Sequence, residues 1–397
     1  MTPIEQLDKS SSVPDSRLLF LGAGFSRSAG LPLAGELLDL VIAEIHRHFP
    51  DATKLDKSLE RYRRYVADTT GTPTDLVDIE QFCAYLDHEH VLGLRGSDTW
   101  SEDGNEDQLM LRWGIGSVLH HATPRVADLP ARYLDFAKLL RPRDCVVTFN
   151  YDRLLEDALD AAGTPYRRFP SRYTACYDMH SEVDNERDSQ EVLILKVHGS
   201  VDWVDRSSFE RNMRILARSG ADASFRRRHL IFGDTPITTC QPLVEGPRPE
   251  DDPLDSVMVL DDLDAYYSNL RVWHHATPLI LAPSAVKLLY GAPMREFWRG
   301  MPQYAWAWSG LGVVGYSLPP ADPYARQVLW SIGSTYGSTF GDSDWSLHPK
   351  RRMKVIDYRT TADDASALRA TYRFLDPSLT DYLLDGFDER AVSELLG

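Results

Sequence analysis

The sequence predicts an α/β fold, a largely parallel sheet with helices on both faces. Two observations carry that prediction. Short, almost wholly apolar runs recur along the chain, as expected of strands buried on both faces. Stretches with helical periodicity separate them. A third observation concerns function: polar or glycine-rich turns follow several of the runs, at the strand ends where open parallel sheets bind ligands.

The elements follow in order. Leu18-Leu19-Phe20-Leu21 reads as the first strand. Gly22 to Gly30 is a glycine-rich turn, and Pro32 opens a helix with Leu37, Leu38, Val41, Ile42 and Ile45 on one face. Cys145 to Phe149 is the second strand, followed by a helix from Asp152 to Leu159. Val192 to Val197 is the third, Leu279-Ile280-Leu281 the fourth, Val313-Val314 the fifth and Lys354 to Tyr358 the sixth. A strand, a glycine turn and a helix at the start make the expected sheet Rossmann-like. Two insertions interrupt it. The first, about residues 49–141, is expected to be helical, with a stripe of Ile79, Phe82, Cys83 and Leu86. Within it the acidic stretch Arg95 to Asp107 is expected to be a mobile loop. The second, about residues 204–273, is mixed. It carries Arg206, Arg211, Arg214, Arg218, Arg226, Arg227 and Arg228 and then an exposed loop from Gly246 to Asp255. The expected organisation is one domain over residues 17–376, with residues 377–397 as a C-terminal helical tail.

Composition narrows the function classes. The chain has 397 residues, 43% hydrophobic and 26% charged, with a formal net charge of -16. So acidic a chain has no overall electrostatic drive towards nucleic acid or anionic membranes, and no direct nucleic-acid binding is expected. No apolar run approaches the roughly 20 residues that span a bilayer. The polar segment Met1 to Ser16 lacks a signal-peptide core, so a cytoplasmic location is expected. Cys83, Cys145, Cys176 and Cys240 are far apart and form no Cys-x-x-Cys pair. That spacing argues against a zinc module and against disulfides.

Four short constellations carry chemistry. Gly22-Ala23-Gly24-Phe25-Ser26, continuing to Gly30, would let main chain approach a pyrophosphate. It departs from the usual dinucleotide fingerprint, since Arg27 stands where a third glycine would fall, and by itself it reads equally well as a tight turn. Thr148-Phe149-Asn150-Tyr151-Asp152 ends a strand. Asn150 and Asp152 are good helix caps, but an amide there can also hold a water and a carboxylate can bind a carboxamide. Lys196-Val197-His198-Gly199-Ser200 offers a histidine, a natural base near neutral pH or a structural hydrogen-bonding residue. Val314-Gly315-Tyr316-Ser317 could present main-chain N–H groups to a phosphate or simply turn before Pro319.

The order of these pieces resembles the sirtuin family, and more closely the sirtuin-like proteins of bacterial anti-phage systems. The resemblance lies in Gly-Ala-Gly-x-Ser, in Asn150 to Glu156, in Lys196 to Trp203 and in Gly315 to Asp322. It extends from Leu18 to about Tyr358. It implies NAD as substrate, no metal, and a set of roles. Gly22, Ala23, Gly24, Ser26 and Gly30 would lie at the NAD phosphates. Asn150 would position the attacking water, Asp152 would contact the nicotinamide amide, and His198 would meet the ribose hydroxyls and act as base. Gly315, Tyr316 and Ser317 would serve the adenosine-side phosphate, and Asp357 the adenosine ribose. Protein-deacylating sirtuins carry a zinc module with two cysteine pairs and an Asp-Phe-Arg after Gly-Ile-Pro. Here Gly30-Leu31-Pro32 is followed by Leu33-Ala34-Gly35.

The function this implies is an NAD glycohydrolase that depletes NAD in an abortive-infection response. Two other classes compete with it: an NAD-dependent deacylase and a non-catalytic subunit that binds NAD or ADP-ribose. Members of the resembled branch act with a separately encoded partner, such as a HerA-type ATPase or a short Argonaute, or carry a fused sensor. The chain ends soon after its last expected strand, so a separate partner and a homo-oligomer are expected.

Overall fold

The computed structural model describes residues 15–71, 77–94, 104–168, 190–220, 224–244, 254–270, 276–282, 284, 286–299, 308–341 and 349–397. Strand β1 (Arg17–Leu21) leads into the short helix α1 (Ala23–Arg27) and then α2 (Ala34–His48). Four helices follow: α3 (Thr53–Thr70), α4 (Ile79–Val91), α5 (Glu106–Ala122) and α6 (Ala131–Leu139). The chain returns to the sheet as β2 (Cys145–Thr148), continues through α7 (Leu154–Ala162) and the brief β3 (Tyr166–Arg167), and re-enters as β4 (Val192–Lys196). Strand β5 (Gly199–Asp205) follows at once. Then come α8 (Ser207–Arg218), α9 (Ser224–Arg228), β6 (Cys240–Pro242), β7 (Val257–Leu260), α10 (Leu263–Tyr267), β8 (Pro278–Ile280), α11 (Lys287–Tyr290) and α12 (Arg295–Arg299). The last part is β9 (Gly310–Val314), α13 (Pro323–Ser338), β10 (Met353–Ile356), α14 (Ala362–Thr371), β11 (Thr380–Leu383) and α15 (Glu389–Leu396).

Among the described residues, seven strands form one sheet in the order β11-β10-β9-β1-β2-β4-β3, and every pair is parallel. From β1 the chain builds outward on one side through β2, β4 and β3, then crosses to build β9, β10 and β11 on the other. The reversal of strand order falls beside β1, and a crevice opens outside the strand ends at such a point. The strands are nearly all apolar because both faces are covered. One face packs on the helical insertion and α15, and the other on α11 to α14. At the far end of β1, Arg17 is buried in an ion pair with Asp144 at 2.5 Å and donates to the Leu396 carbonyl at 2.7 Å.

Three expectations need correction. The run Leu279-Ile280-Leu281 does supply a strand, but β8 belongs to a separate four-stranded sheet, β6-β7-β5-β8, and pairs antiparallel with β5. An apolar run shows burial without showing which sheet buries it. That second sheet begins at Gly199, earlier than the insertion boundary read near Val204. Residues 377–397 are not simply a helical tail: β11 adds an edge strand through Met353↔Thr380 to Ile356↔Leu383. Its sequence Thr-Asp-Tyr-Leu has no long apolar run, since an edge strand is only half covered. Most of the loop read over Arg95 to Asp107 lies outside the described residues, as do Cys176 and most of Gly246 to Asp255. Of the loop, residues 104–107 are described: Asn105 caps α5 and shares a capping box with Gln108, and Glu106 and Asp107 already belong to that helix. Among the described residues, no helix is long and apolar enough to cross a membrane.

Candidate active site

The ends of β1 and β9 meet through glycine. The Gly22 N–H donates to the Val314 carbonyl at 2.9 Å and the Gly24 N–H to the Gly315 carbonyl at 2.8 Å. A Cβ on Gly24 would stand 2.6 Å from the Gly315 Cα, and one on Gly315, whose φ is +59°, would stand 2.4 Å from Gly24 main chain. Both are glycine because two backbones touch there. Gly30 is different: its φ of +95° turns the chain towards α2, and a Cβ there would meet nothing within 4 Å.

Beside this contact lies a cavity of about 740 Å³, a size suited to a nucleotide-class ligand. Ala23, Gly24 and Ser26 line it, with Asn150 and Asp152, His198, Gly315, Tyr316 and Ser317, and Asp357. Of the residues singled out in the sequence, Gly22 and Gly30 stand behind this wall, holding the turn.

Asn150 does not cap α7. Its Nδ2 donates to the Gly22 carbonyl at 2.9 Å and to Ser26 Oγ at 3.0 Å. Ser26 Oγ in turn donates to Asp152 Oδ2 at 2.9 Å. The β1 turn and the β2 end are thus laced together by one polar chain, and all three side chains are buried. Asp152 also accepts from the Leu154 N–H at 3.0 Å, so it keeps part of the capping role read from the sequence. Burial raises its carboxyl above the usual carboxylate range, against the pull of Lys196. Lys196 itself donates to the Asp152 main-chain carbonyl and pairs with Glu156 at 2.9 Å.

His198 occupies the hinge between the two sheets. Gly199 after it has a φ of +87°, and a Cβ there would collide with the Leu279 carbonyl, so only glycine lets β4 cross into β5. The Leu281 N–H donates to the His198 carbonyl at 2.9 Å, which seats β8 against the hinge. The ring lies edge-on to Phe149, and Phe149 stacks on Tyr316 at 3.9 Å between centroids. His198 Nε2 is 2.7 Å from Asp322 Oδ2 and 3.1 Å from Lys287 Nζ, and Lys287 also donates to Asp322 Oδ1 at 2.8 Å. Burial first, then the Lys287 charge, hold the imidazole down at about 4. It is therefore neutral, with Nε2 already engaged.

Residues 144–258 match the family model of the SIR2-like domain. That stretch of the chain is similar to the SIR2-like domain family. The matched stretch holds Asn150, Asp152 and His198, and the glycine contact of β1 with β9 lies outside it. SIR2-like domains use NAD. No curated protein matches the chain. Among the described residues, no group of three or more His, Cys, Asp or Glu side chains is placed to hold a metal ion.

Several residues of this site went unread in the sequence. Asp322 stands at the end of the quoted Gly315 to Asp322 motif, and Pro323 after it marks a helix start. Its carboxylate caps α13 through the Ala325 N–H at 3.1 Å while holding His198 and Lys287. Those partners keep it ionised despite complete burial, well below the usual carboxylate range. Lys287 gave no signal, since a lysine on a short helix is ordinarily exposed. Arg27 and Arg359 bring two guanidinium groups to the cavity wall. Arg359 pairs with Asp357 at 2.8 Å. The helical insertion also lines the cavity, with Ile79, Glu80 and Cys83 of α4 and Ile115 and Leu119 of α5.

Proposed function

We propose that the chain is an NAD glycohydrolase, which cleaves the nicotinamide–ribose bond to give nicotinamide and ADP-ribose. One observation carries this reading: the polar chain Gly22–Asn150–Ser26–Asp152 faces the same cavity as the touching glycine turns of β1 and β9. The glycine turns suit a pyrophosphate, because they present main chain with no side chain in the way. Asn150 is held so rigidly that its remaining amide oxygen can fix one water. Asp152 is placed to take the carboxamide, and Asp357 and Arg359 border the far end for the adenosine ribose.

The chemistry asks little of the protein. The nicotinamide ring leaves as a neutral molecule from a cationic ground state, so no acid is needed to protonate it. The site must supply burial, orientation and a water on the opposite face of an oxocarbenium-like ribose. The flat stack of Phe149 on Tyr316 beside His198 offers an apolar platform for that half of the ligand.

The wider reading follows the same resemblance. The enzyme would deplete NAD in an anti-phage response, as a homo-oligomer working with a separately encoded partner of HerA-type ATPase or short Argonaute kind. The exposed arginines of α8 and α9 are the surface we assign to that assembly.

The deciding experiment is release of free nicotinamide from NAD alone, followed by chromatography. A glycohydrolase releases it without any peptide. Release that depends on an acyl-lysine peptide makes the protein a deacylase. Tight NAD binding with no release makes it a sensor, and either result ends the glycohydrolase reading.

A further inference from the structure

The hydrolysis proposed above needs a group to take the proton of the attacking water, and His198 is poorly placed to do so. Its Nε2 already faces Asp322 and Lys287, and a ring held at about 4 is a weak base. The cavity contains another candidate, on the wall that matched no motif. Glu80 sits in the first turn of α4, half-buried, and lines the cavity between Ile79 and Cys83. Asp78, and not Glu80, caps the helix, accepting from the Glu80 N–H at 2.8 Å and the Gln81 N–H at 3.2 Å. No described residue donates a hydrogen bond to the Glu80 carboxylate, which is left open to the cavity. It lies within electrostatic reach of Asp322 and Lys287 and of Tyr151 and Tyr316, and it lines the same cavity as Asn150 and His198.

We infer that Glu80, supplied by the helical insertion, is the general base of NAD hydrolysis in this protein. The inference rests on the glycohydrolase reading. In the step, a water O–H bond breaks and its proton passes to a Glu80 carboxylate oxygen. The water oxygen bonds to C1′ of the nicotinamide ribose. The C1′–N bond breaks, and its electron pair returns to the ring nitrogen, giving neutral nicotinamide. Glu80 then releases the proton to solvent. The environment suits the task. Burial, then the Asp78 and Asp322 carboxylates, push Glu80 up to about 7 against the pull of Lys287. A base is most effective when its pKa lies near the working pH. The groups facing it are Asp78 at the start of its own helix, Asp322 at the start of α13, Lys287 on α11, and the Tyr151, Tyr316 and Cys83 side chains.

The test compares the full chain with Glu80→Gln and Glu80→Asp, measuring nicotinamide release between pH 5 and pH 9 and NAD affinity by calorimetry. Parent turnover should climb with pH and level off above a midpoint near 7. Glu80→Gln should lose roughly 10²–10⁴-fold in turnover, keep its NAD affinity and lose that climb. Glu80→Asp should restore part of the rate together with the pH dependence. A Glu80→Gln protein that keeps the parent rate, or that slows but keeps the same pH profile, overturns the base and leaves the glycohydrolase reading standing. A parent protein that binds NAD and releases no nicotinamide at any pH overturns both. A Glu80→Gln protein that no longer binds NAD makes the residue a binding group and overturns the base.

Discussion

Along the sheet edge the cavity is walled by main chain and by side chains already tied to one another. Gly24 and Gly315 touch, Asn150 is bonded to Gly22 and Ser26, and His198 is clamped by Asp322 and Lys287. The helical insertion lines the same cavity with Ile79, Cys83, Ile115 and Leu119, with Glu80 as the exception. One wall achieves position through many mutual constraints. The other sets an environment, in which apolar neighbours desolvate a single carboxyl and leave it reactive. The contrast teaches that a site can take its geometry from one part of a chain and its acid–base tuning from another, because orientation needs rigid partners and a raised pKa needs their absence.

The comparison breaks most visibly at Asn150. Asn150→Ala should lower nicotinamide release by at least about 10²-fold, the usual cost of losing one positioned polar group in a reaction site. Its melting temperature should stay near the parent's, since the lost hydrogen bonds are worth about 1 kcal/mol each. Normal turnover in a folded variant would show that the sheet-edge wall only holds the fold together.

Lys287→Met tests the clamp. Removing one partner of a buried charged group costs about 3–5 kcal/mol, because Asp322 loses its cation and keeps only His198 and the Ala325 N–H. The loss should be larger at pH 8 than at pH 5, where His198, freed of the Lys287 charge, takes a proton and restores a cation. Denaturant melts at the two pH values would read this, and equal losses at both would mean that His198 does not titrate against Asp322.

Gly24→Ala should destabilise by about 1–3 kcal/mol, the usual cost of forcing a methyl into a filled space, and should weaken NAD binding by opening the β1–β9 contact. Thermal melting and calorimetry together check it. An unshifted melting point would mean that the two turns can part without loss.

The two walls should also titrate with opposite sign. His198 is held below its ordinary 6.5, at about 4, so the unfolded chain takes up a proton that the folded one refuses. Its contribution is complete above pH 6.5 and is lost as pH falls towards 4. Glu80 is raised from 4.5 to about 7, so the folded protein holds the proton more tightly, and stability is lost as pH rises through that window. Each effect is on the order of 3 kcal/mol at full extent. Relative to the parent, Glu80→Gln should therefore be more stable at pH 8 than at pH 5, and the reverse order would contradict its desolvation. The smallest effect expected is from a metal chelator, which should change neither melting nor nicotinamide release. Inactivation by a chelator and recovery with zinc would mean that a metal site exists.

By itself the sequence determined the strands that end in chemistry. β1, β2, β4, β9 and β10 are short apolar runs, and Gly22 to Ser26, Asn150 to Asp152, His198 and Gly315 to Ser317 follow them directly. Strand ends of one parallel sheet share an edge, so a linear reading could place these residues near one another. It could not place β8, because an apolar run does not name its partner strand, nor β11, whose edge position asks for little hydrophobicity. The finer points belong to the tertiary structure. Lys287 lies 89 residues from His198 and 35 from Asp322, and only packing makes the three a buried cluster. In the sequence Glu80 is one acid beside Ile79, in no motif. What sets it apart is desolvation and the field of distant charges, and both come from how the insertion folds back over the sheet edge.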